Sequence, residues 1–216
     1  MKAIVQDTYG SADVLELRDI DKPAVGHDDV LLRVHAAGVN PGVWHAMTGR
    51  PYLMRIMGFG LRRPKARIRG TDVAGHVEAV GKGVAGLQPG DDVFGDCNGS
   101  FAEYACARED RLVRKPANLT FEQAAAVPDS GITALQGLRD VAGIKPGQKV
   151  LIIGAGGGIG TFAVQIAKAF GAEVTGVCSA TKVDLVRSIG ADHAIDYTRE
   201  DFANISDVPS PPMALS

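Results

Sequence analysis

The chain has 216 residues, 45% of them hydrophobic, with 23 Lys and Arg against 25 Asp and Glu for a net charge of −2. That is ordinary globular composition, long enough for a sizeable core and for one or two domains. The near-neutral balance excludes whole-chain electrostatic attraction to nucleic acid, and no apolar run has the length of a signal-peptide core or a membrane span. The expectation is a cytoplasmic protein without stable membrane insertion. Cys97, Cys106 and Cys178 are odd in number, widely spaced and form no CxxC pair, so neither a disulfide framework nor a zinc cluster is indicated.

The first hundred residues carry short apolar stretches separated by Gly and Pro turn signals. "DDVLLRVHAAGVN", "DVAGHVEAVGKGV" and "GDDVFGD" read as strands, and the whole as a compact β-rich domain. From Arg50 to Arg69 the chain holds seven basic residues and no acidic one, mixed with Leu, Met, Ile and Phe. That composition fits a solvated loop, a lid over a bound molecule, or a surface that meets a membrane.

The texture changes near Leu119. "LTFEQAAAVP" offers Thr120 as an N-cap with Gln123 at the reciprocal capping-box position. Pro128 interrupts, "GITALQGLRDV" continues as helix, and "GIKPGQ" is a loop. From Lys149 onward the pattern alternates as βαβαβ, the mark of a parallel sheet. The end, "NISDVPSPPMALS", is rich in Pro and Ser and reads as disordered.

The chemistry concentrates in "VLIIGAGGGIGTFAVQIAK", Val150 to Lys168. An apolar run of buried-strand type passes into Gly154, Gly156, Gly157, Gly158 and Gly160. Behind them Ile159, Phe162, Ala163, Ile166, Ala167 and Phe170 fall at helical spacing. Ala155-x-Gly157-x-x-Gly160 is a dinucleotide fingerprint with Ala in first place. The first position serves the tight turn, the middle glycine admits a pyrophosphate to the backbone, and the last lets helix and strand pack closely. Gly158 and Ile159 complete the helix start, where free N–H groups meet phosphate. The strand before and the helix behind give the motif its specificity.

An NAD site usually carries an acid at the end of the second strand for the ribose 2′-OH. Here "AEVTGVC" is followed by Ser179, Ala180, Thr181 and Lys182. A hydroxyl and a cation suit a 2′-phosphate, so the expected cofactor is NADPH rather than NADH.

These stretches resemble a known family. "AAGVNP", "GTDVAGHVEAVGKGV", "PGDDVFG", "FAEYA", "AAAVP", "TALQGL", "GAGGGIG" and "GADHAIDYTREDF" match, in order, the medium-chain dehydrogenases/reductases of the zinc-independent, quinone oxidoreductase-like (alcohol dehydrogenase-like) branch. The resemblance covers nearly everything up to Phe202. It implies an α/β protein: a GroES-like domain over 1–121, a partial Rossmann domain over 122–206, and a disordered tail at 207–216. It implies hydride transfer from NADPH to a small quinone or α,β-unsaturated carbonyl. Two other readings stand beside it: a non-catalytic nucleotide-binding fragment, and an alcohol dehydrogenase acting on alcohols or aldehydes.

By the same resemblance Asn40 lies at the substrate end, with Tyr52 as second donor or stacking group. Thr133 resembles the family threonine near the nicotinamide and phosphates, and Ser179, Lys182 and Tyr197 match 2′-phosphate positions. Zinc-dependent relatives place Cys where this chain has Asn40, and Gly-His-Glu where it has Gly70, Thr71 and Asp72, so no metal is expected. His76 lies near that place and reads as a structural histidine without partners. Val43 and Met47 stand where relatives hold an Asp and an Arg. Asp129 and Ser130 stand where relatives are apolar, and a buried unpaired Asp129 would be costly.

A Rossmann sheet has the order 3-2-1-4-5-6. The chain supplies strand 1 near Val150–Ile153, strand 2 at Glu173–Cys178 and strand 3 near Ala194–Tyr197, leaving strand 1 with an apolar edge. Relatives continue for about a hundred residues more and form homodimers when complete. The expectation is a C-terminally truncated chain that turns over little and aggregates readily on its own.

Overall fold

The computed structural model describes residues 1–200. The expected tail at 207–216, and the end of the family-like stretch at Phe202, lie outside the described residues. The chain divides into two compact units, Met1–Asp129 and a second that begins at Ser130.

The first unit is built on a five-stranded antiparallel sheet of order β6-β3-β4-β5-β7. Its strands are β3 (Asp29–Ala37), β4 (Asp72–Val80), β5 (Asp92–Asp96), β6 (Tyr104–Arg108) and β7 (Leu112–Arg114), and a separate pair joins β1 (Lys2–Gln6) to β2 (Leu15–Asp19). Val30, Leu32, Val73, Val77, Val93 and Leu112 form the core. Simple alternation would not bury Val30, Leu31 and Leu32 in succession. Both faces of β3 are covered: Val30, Leu32 and Val34 alternate onto the core face while Leu31 is buried on the other. Leu31 pairs with Ala79 and Leu32 with Val77, leaving Glu78 as an extra residue on β4. A second bulge leaves His35 unpaired between Val34 and Ala36.

One helix escaped the strand reading. α1 (Pro41–Thr48) starts from an Asn40 N-cap with Pro at its first position and ends on Gly49 in the left-handed conformation, φ 62°. Asn-Pro before the helix and Gly after it were signals in plain sight. α2 (Phe121–Ala125) begins at Thr120 with the expected capping box to Gln123. It packs in the first unit, burying Ala124 and Ala125 near Ala74 and Phe94. The capped start thus sits in the unit that ends at Asp129, eight residues beyond the expected 121/122 division.

The second unit holds a parallel sheet of order β10-β9-β8, with β8 (Lys149–Ile153), β9 (Glu173–Cys178) and β10 (His193–Asp196). This is the 3-2-1 half of a doubly wound sheet. α3 (Pro128–Leu135) runs on into a π-helical turn at Gln136–Val141, and α4 (Gly158–Ala169) and α5 (Val183–Ser188) connect the strands. The core joins Ile152, Val174, Cys178, Ala163, Val164, Ala167 and Val186. β8 departs from the fully buried strand expected of "KVLIIG": Ile152 is buried but Ile153 is 43% exposed. Val150 and Ile152 point into the helix-covered core, and Ile153 alternates to the other face. Among the described residues β8 pairs with β9 alone. A concavity of about 460 Å³ opens over Leu151, Thr175 and Ile195, away from the glycine turn.

Leu32→Ala removes a fully buried side chain from the first core and is expected to destabilise that unit by about 2–5 kcal/mol. Urea unfolding followed by circular dichroism measures it; a loss under about 1 kcal/mol would mean the core closes over the gap.

Candidate functional site

The glycine turn is tied at both ends. β8 stops at Ile153, and Gly154 takes φ 76°, which favours glycine. The N–H groups of Gly154 and Ala155 both donate to the Val177 carbonyl, at 3.0 and 2.9 Å, and the Gly157 N–H donates to the Gly154 carbonyl at 2.9 Å. Left-handed backbone therefore falls on Gly154, not on Ala155, the residue in the fingerprint's first place. Ala155 instead is fully buried as the anchor between β8 and β9.

The remaining glycines separate by what a side chain would meet. A Cβ on Gly160 would lie 2.1 Å from the Gly154 carbonyl oxygen and 2.8 Å from Ala155 Cα, both backbone atoms that cannot move aside. On Gly157 it would meet only the Gly154 oxygen, at 3.3 Å. Gly160 is thus required by the fold, whereas Gly157 leaves open space at the helix start. Gly157 is the N-cap, with no side-chain cap among the described residues, and the Thr161 N–H closes the first helical bond to the Gly157 carbonyl. The N–H groups of Gly158, Ile159 and Gly160 precede that bond and have no intrahelical acceptor. Open space and unpaired donors fit a phosphate group.

Lys182 packs against this turn: a Cβ on Gly156 would lie 2.8 Å from Lys182 Cβ and 3.0 Å from its Cγ. Ser179 N-caps the short turn at Ala180–Lys182, its Oγ 3.3 Å from Thr181 Oγ1. Tyr197 is exposed, and its N–H donates to the Cys178 carbonyl at 3.2 Å. The structure therefore places Ser179, Lys182 and Tyr197 at the end of β9, with Lys182 against the glycine turn. Thr133 is exposed on α3. Ser130, one turn earlier, lies close to the start of α4: a Cβ on Gly158 would lie 3.1 Å from its Oγ. Its polarity in an otherwise apolar stretch was the available signal.

In the first unit Asn40 is held in local structure by two short hydrogen bonds and one long contact. Its Oδ1 accepts the Val43 N–H at 3.0 Å, and its Nδ2 donates to Asp72 Oδ2 at 3.0 Å with a longer approach of 3.4 Å to Thr71 Oγ1. Asp72 is buried and also accepts the Asp129 N–H at 3.1 Å. Burial pushes the Asp72 carboxyl above its usual range, against the two hydrogen bonds that favour the ionised form. Asp129 itself is exposed in the first turn of α3, so the cost of burying it does not arise. Tyr52 stands beyond the opposite end of α1 from Asn40. It is exposed, with the Arg55 guanidinium 4.9 Å from its ring centre.

His76 does have partners, contrary to the expectation. The β4–β5 register sets it opposite Asp92, and its Nδ1 lies 2.5 Å from Asp92 Oδ1. Its ring meets His35 edge-on at 4.6 Å and Phe121 at 5.0 Å. Separation in sequence hid all three.

Two family models match: the alcohol dehydrogenase GroES-like domain over residues 26–117 and the zinc-binding dehydrogenase over 158–207. The chain is 39% identical over 220 residues to the 2-methylene-furan-3-one reductase of Solanum lycopersicum, covering 96% of this chain and 55% of the relative. It is 38% identical over 222 residues to the chloroplastic NADPH-dependent alkenal/one oxidoreductase of Arabidopsis thaliana, at 97% and 55% coverage. The quinone oxidoreductase structure from Coxiella burnetii superposes with a TM-score of 0.83 at 35% identity, over 94% of this chain and 64% of that one. The chain belongs to the medium-chain dehydrogenase/reductase family, in its quinone oxidoreductase-like group. It spans about half the length of these curated relatives. As a family member it shows the GroES-like β unit followed by parallel Rossmann strands.

Gly160→Ala is expected to lose about 1–3 kcal/mol of stability, and Gly157→Ala less than about 1 kcal/mol but with weakened nucleotide binding. Thermal melts and NADPH fluorescence titrations of both variants distinguish the two roles; matching losses of stability would erase the distinction. Asp72 adds a pH signature. Its raised folded-state value means its contribution is full below about pH 4 and is lost as pH rises through that value. Asp72→Asn, uncharged throughout, should gain on the native protein in urea unfolding between about pH 4 and pH 7. A pH-independent difference would show that burial does not perturb this carboxyl.

Proposed function

We propose that this chain carries the nucleotide site and the substrate-orienting domain of an NADPH-dependent oxidoreductase that reduces a quinone or an α,β-unsaturated carbonyl without a metal. The observation that carries the reading is the glycine turn: space at Gly157, three N–H groups without helical acceptors, and the Lys182 stem packed on Gly156. The names of the relatives, a furanone reductase, an alkenal/one oxidoreductase and a quinone oxidoreductase, support the same acceptor class.

The residues fit NADPH. Ala155, Gly157, Gly158, Ile159 and Gly160 would take the pyrophosphate, and Ser179, Lys182 and Tyr197 the 2′-phosphate; Thr133 is the proposed neighbour of the nicotinamide end. When bound, the cofactor supplies the hydride. The chain's part is to bind, orient and polarise. Asn40 would donate to the acceptor carbonyl through the Nδ2 hydrogen that has only the long 3.4 Å Thr71 contact. Asp72 accepts the other hydrogen and holds the amide in place. Tyr52 is the proposed second donor or stacking group.

The residues do not fit a catalytic zinc. That ion takes three ligands from His, Cys or carboxylate. Asn40, Thr71 and Asp72 offer one amide, one hydroxyl and one carboxylate, already hydrogen-bonded to one another. An acceptor that is electrophilic without a Lewis acid is what such a site can serve. No helix among the described residues is long and apolar enough to cross a membrane. Residence in the cytoplasm belongs to the proposal as well, whereas homodimer assembly is proposed for complete relatives and not for this chain.

Lys182→Ala is expected to weaken NADPH about tenfold while leaving NADH unchanged, because only NADPH carries the 2′-phosphate. Fluorescence titration with both nucleotides decides it. Equal NADPH and NADH affinities in the unmodified protein would end the cofactor assignment.

A further inference from the structure

The segment from Val34 to Thr71 contains seven Arg or Lys and no Asp or Glu. Three of these cations serve the fold. Arg55 donates to the Gly49 and Thr48 carbonyls and lies 4.2 Å from the Tyr9 ring centre; Arg67 pairs with Asp7; Arg69 is buried against the Ala66 carbonyl. Arg50, Arg62, Arg63 and Lys65 are exposed and form no ion pair with the described residues.

Between them runs a helical turn with apolar side chains outward. Leu53, Ile56 and Met57 are 63%, 73% and 72% exposed. Tyr52, Phe59 and Leu61 are exposed beside them. The turn is pinned from within. The Tyr9 hydroxyl lies 2.8 Å from the Phe59 carbonyl oxygen and 2.7 Å from that of Gly60, the Lys65 N–H donates to the Phe59 carbonyl at 2.8 Å, and Arg55 ties it to the end of α1. Internal bonds thus hold apolar side chains toward water in a segment flanked by Arg50 on one side and by Arg62, Arg63 and Lys65 on the other, cations without an ion pair among the described residues.

We propose that this face docks the protein peripherally on an anionic lipid surface. The charge is complementary to phosphate headgroups, and a few exposed apolar side chains are enough to enter the headgroup boundary without the shape complementarity that a protein partner requires. A nucleic acid would use the cations but not Leu53, Ile56 and Met57.

The test is co-sedimentation of the full chain with vesicles of phosphatidylcholine alone or mixed with phosphatidylglycerol. Trp44, the only tryptophan, is exposed on α1 just before the face and serves as a fluorescence reporter. Binding is expected to the mixed vesicles only, with a blue shift of Trp44 and loss in high salt. Arg62→Gln, Arg63→Gln and Lys65→Gln together should weaken it by about fivefold per cation removed. Ile56→Ser with Met57→Ser should weaken it with all cations intact, and unchanged circular dichroism shows that the variants fold. No vesicle binding, equal binding to neutral vesicles, or insensitivity to either variant would overturn the proposal. So would retention of a single-stranded oligonucleotide by protein that ignores the vesicles.

Discussion

The second unit depends on one close approach, that of the first turn of α4 to the backbone of Gly154. With hydrogen as the only side chain at Gly160, the helix start sits directly on the Gly154 carbonyl just after β8. This contact fixes the direction in which the helix leaves the sheet. It also brings unpaired N–H groups to the place where strand, turn and second strand meet, since the same turn is bonded to the Val177 carbonyl. Packing constraint and ligand site are made by neighbouring glycines with opposite reasons for lacking a side chain. One has no room; the other leaves room.

The first unit rests on a different economy of groups. Asn40 is both the cap of α1 and the partner of a buried carboxyl, so its amide cannot turn freely. Such a residue is a poor candidate for a mobile role and a good one for a rigid donor. Holding a side chain by two internal bonds while leaving one hydrogen weakly engaged is how a site is made ready before the ligand arrives. Asp72 is the cost of that arrangement, a carboxyl kept from water with two donors aimed at it.

Charge is distributed with similar purpose. Most ion pairs lie between exposed partners, where they are worth little. The basic loop is different because its acids are absent in sequence, not merely unpaired in space, and its apolar residues are held outward by bonds from Tyr9 and Arg55.

Local order was legible from the residues alone where neighbours in sequence are also neighbours in space. The Thr120–Gln123 capping box, the strand 2 limits at Glu173–Cys178 and the strand–glycine–helix passage are all of that kind. The glycine spacing and the Ser179–Lys182 pair also announced the nucleotide reading, because backbone freedom and side-chain chemistry are written residue by residue. Tertiary structure decided the rest. Two bulges set which residues of β4 stand opposite those of β3, and no alternation pattern contains them. The β4–β5 register gave His76 its Asp92, and α3 brought Ser130 to Gly158. Whether Gly157 or Gly160 lacks a side chain for want of space depends on atoms several residues away in a folded turn. The sequence alone lists both simply as glycine.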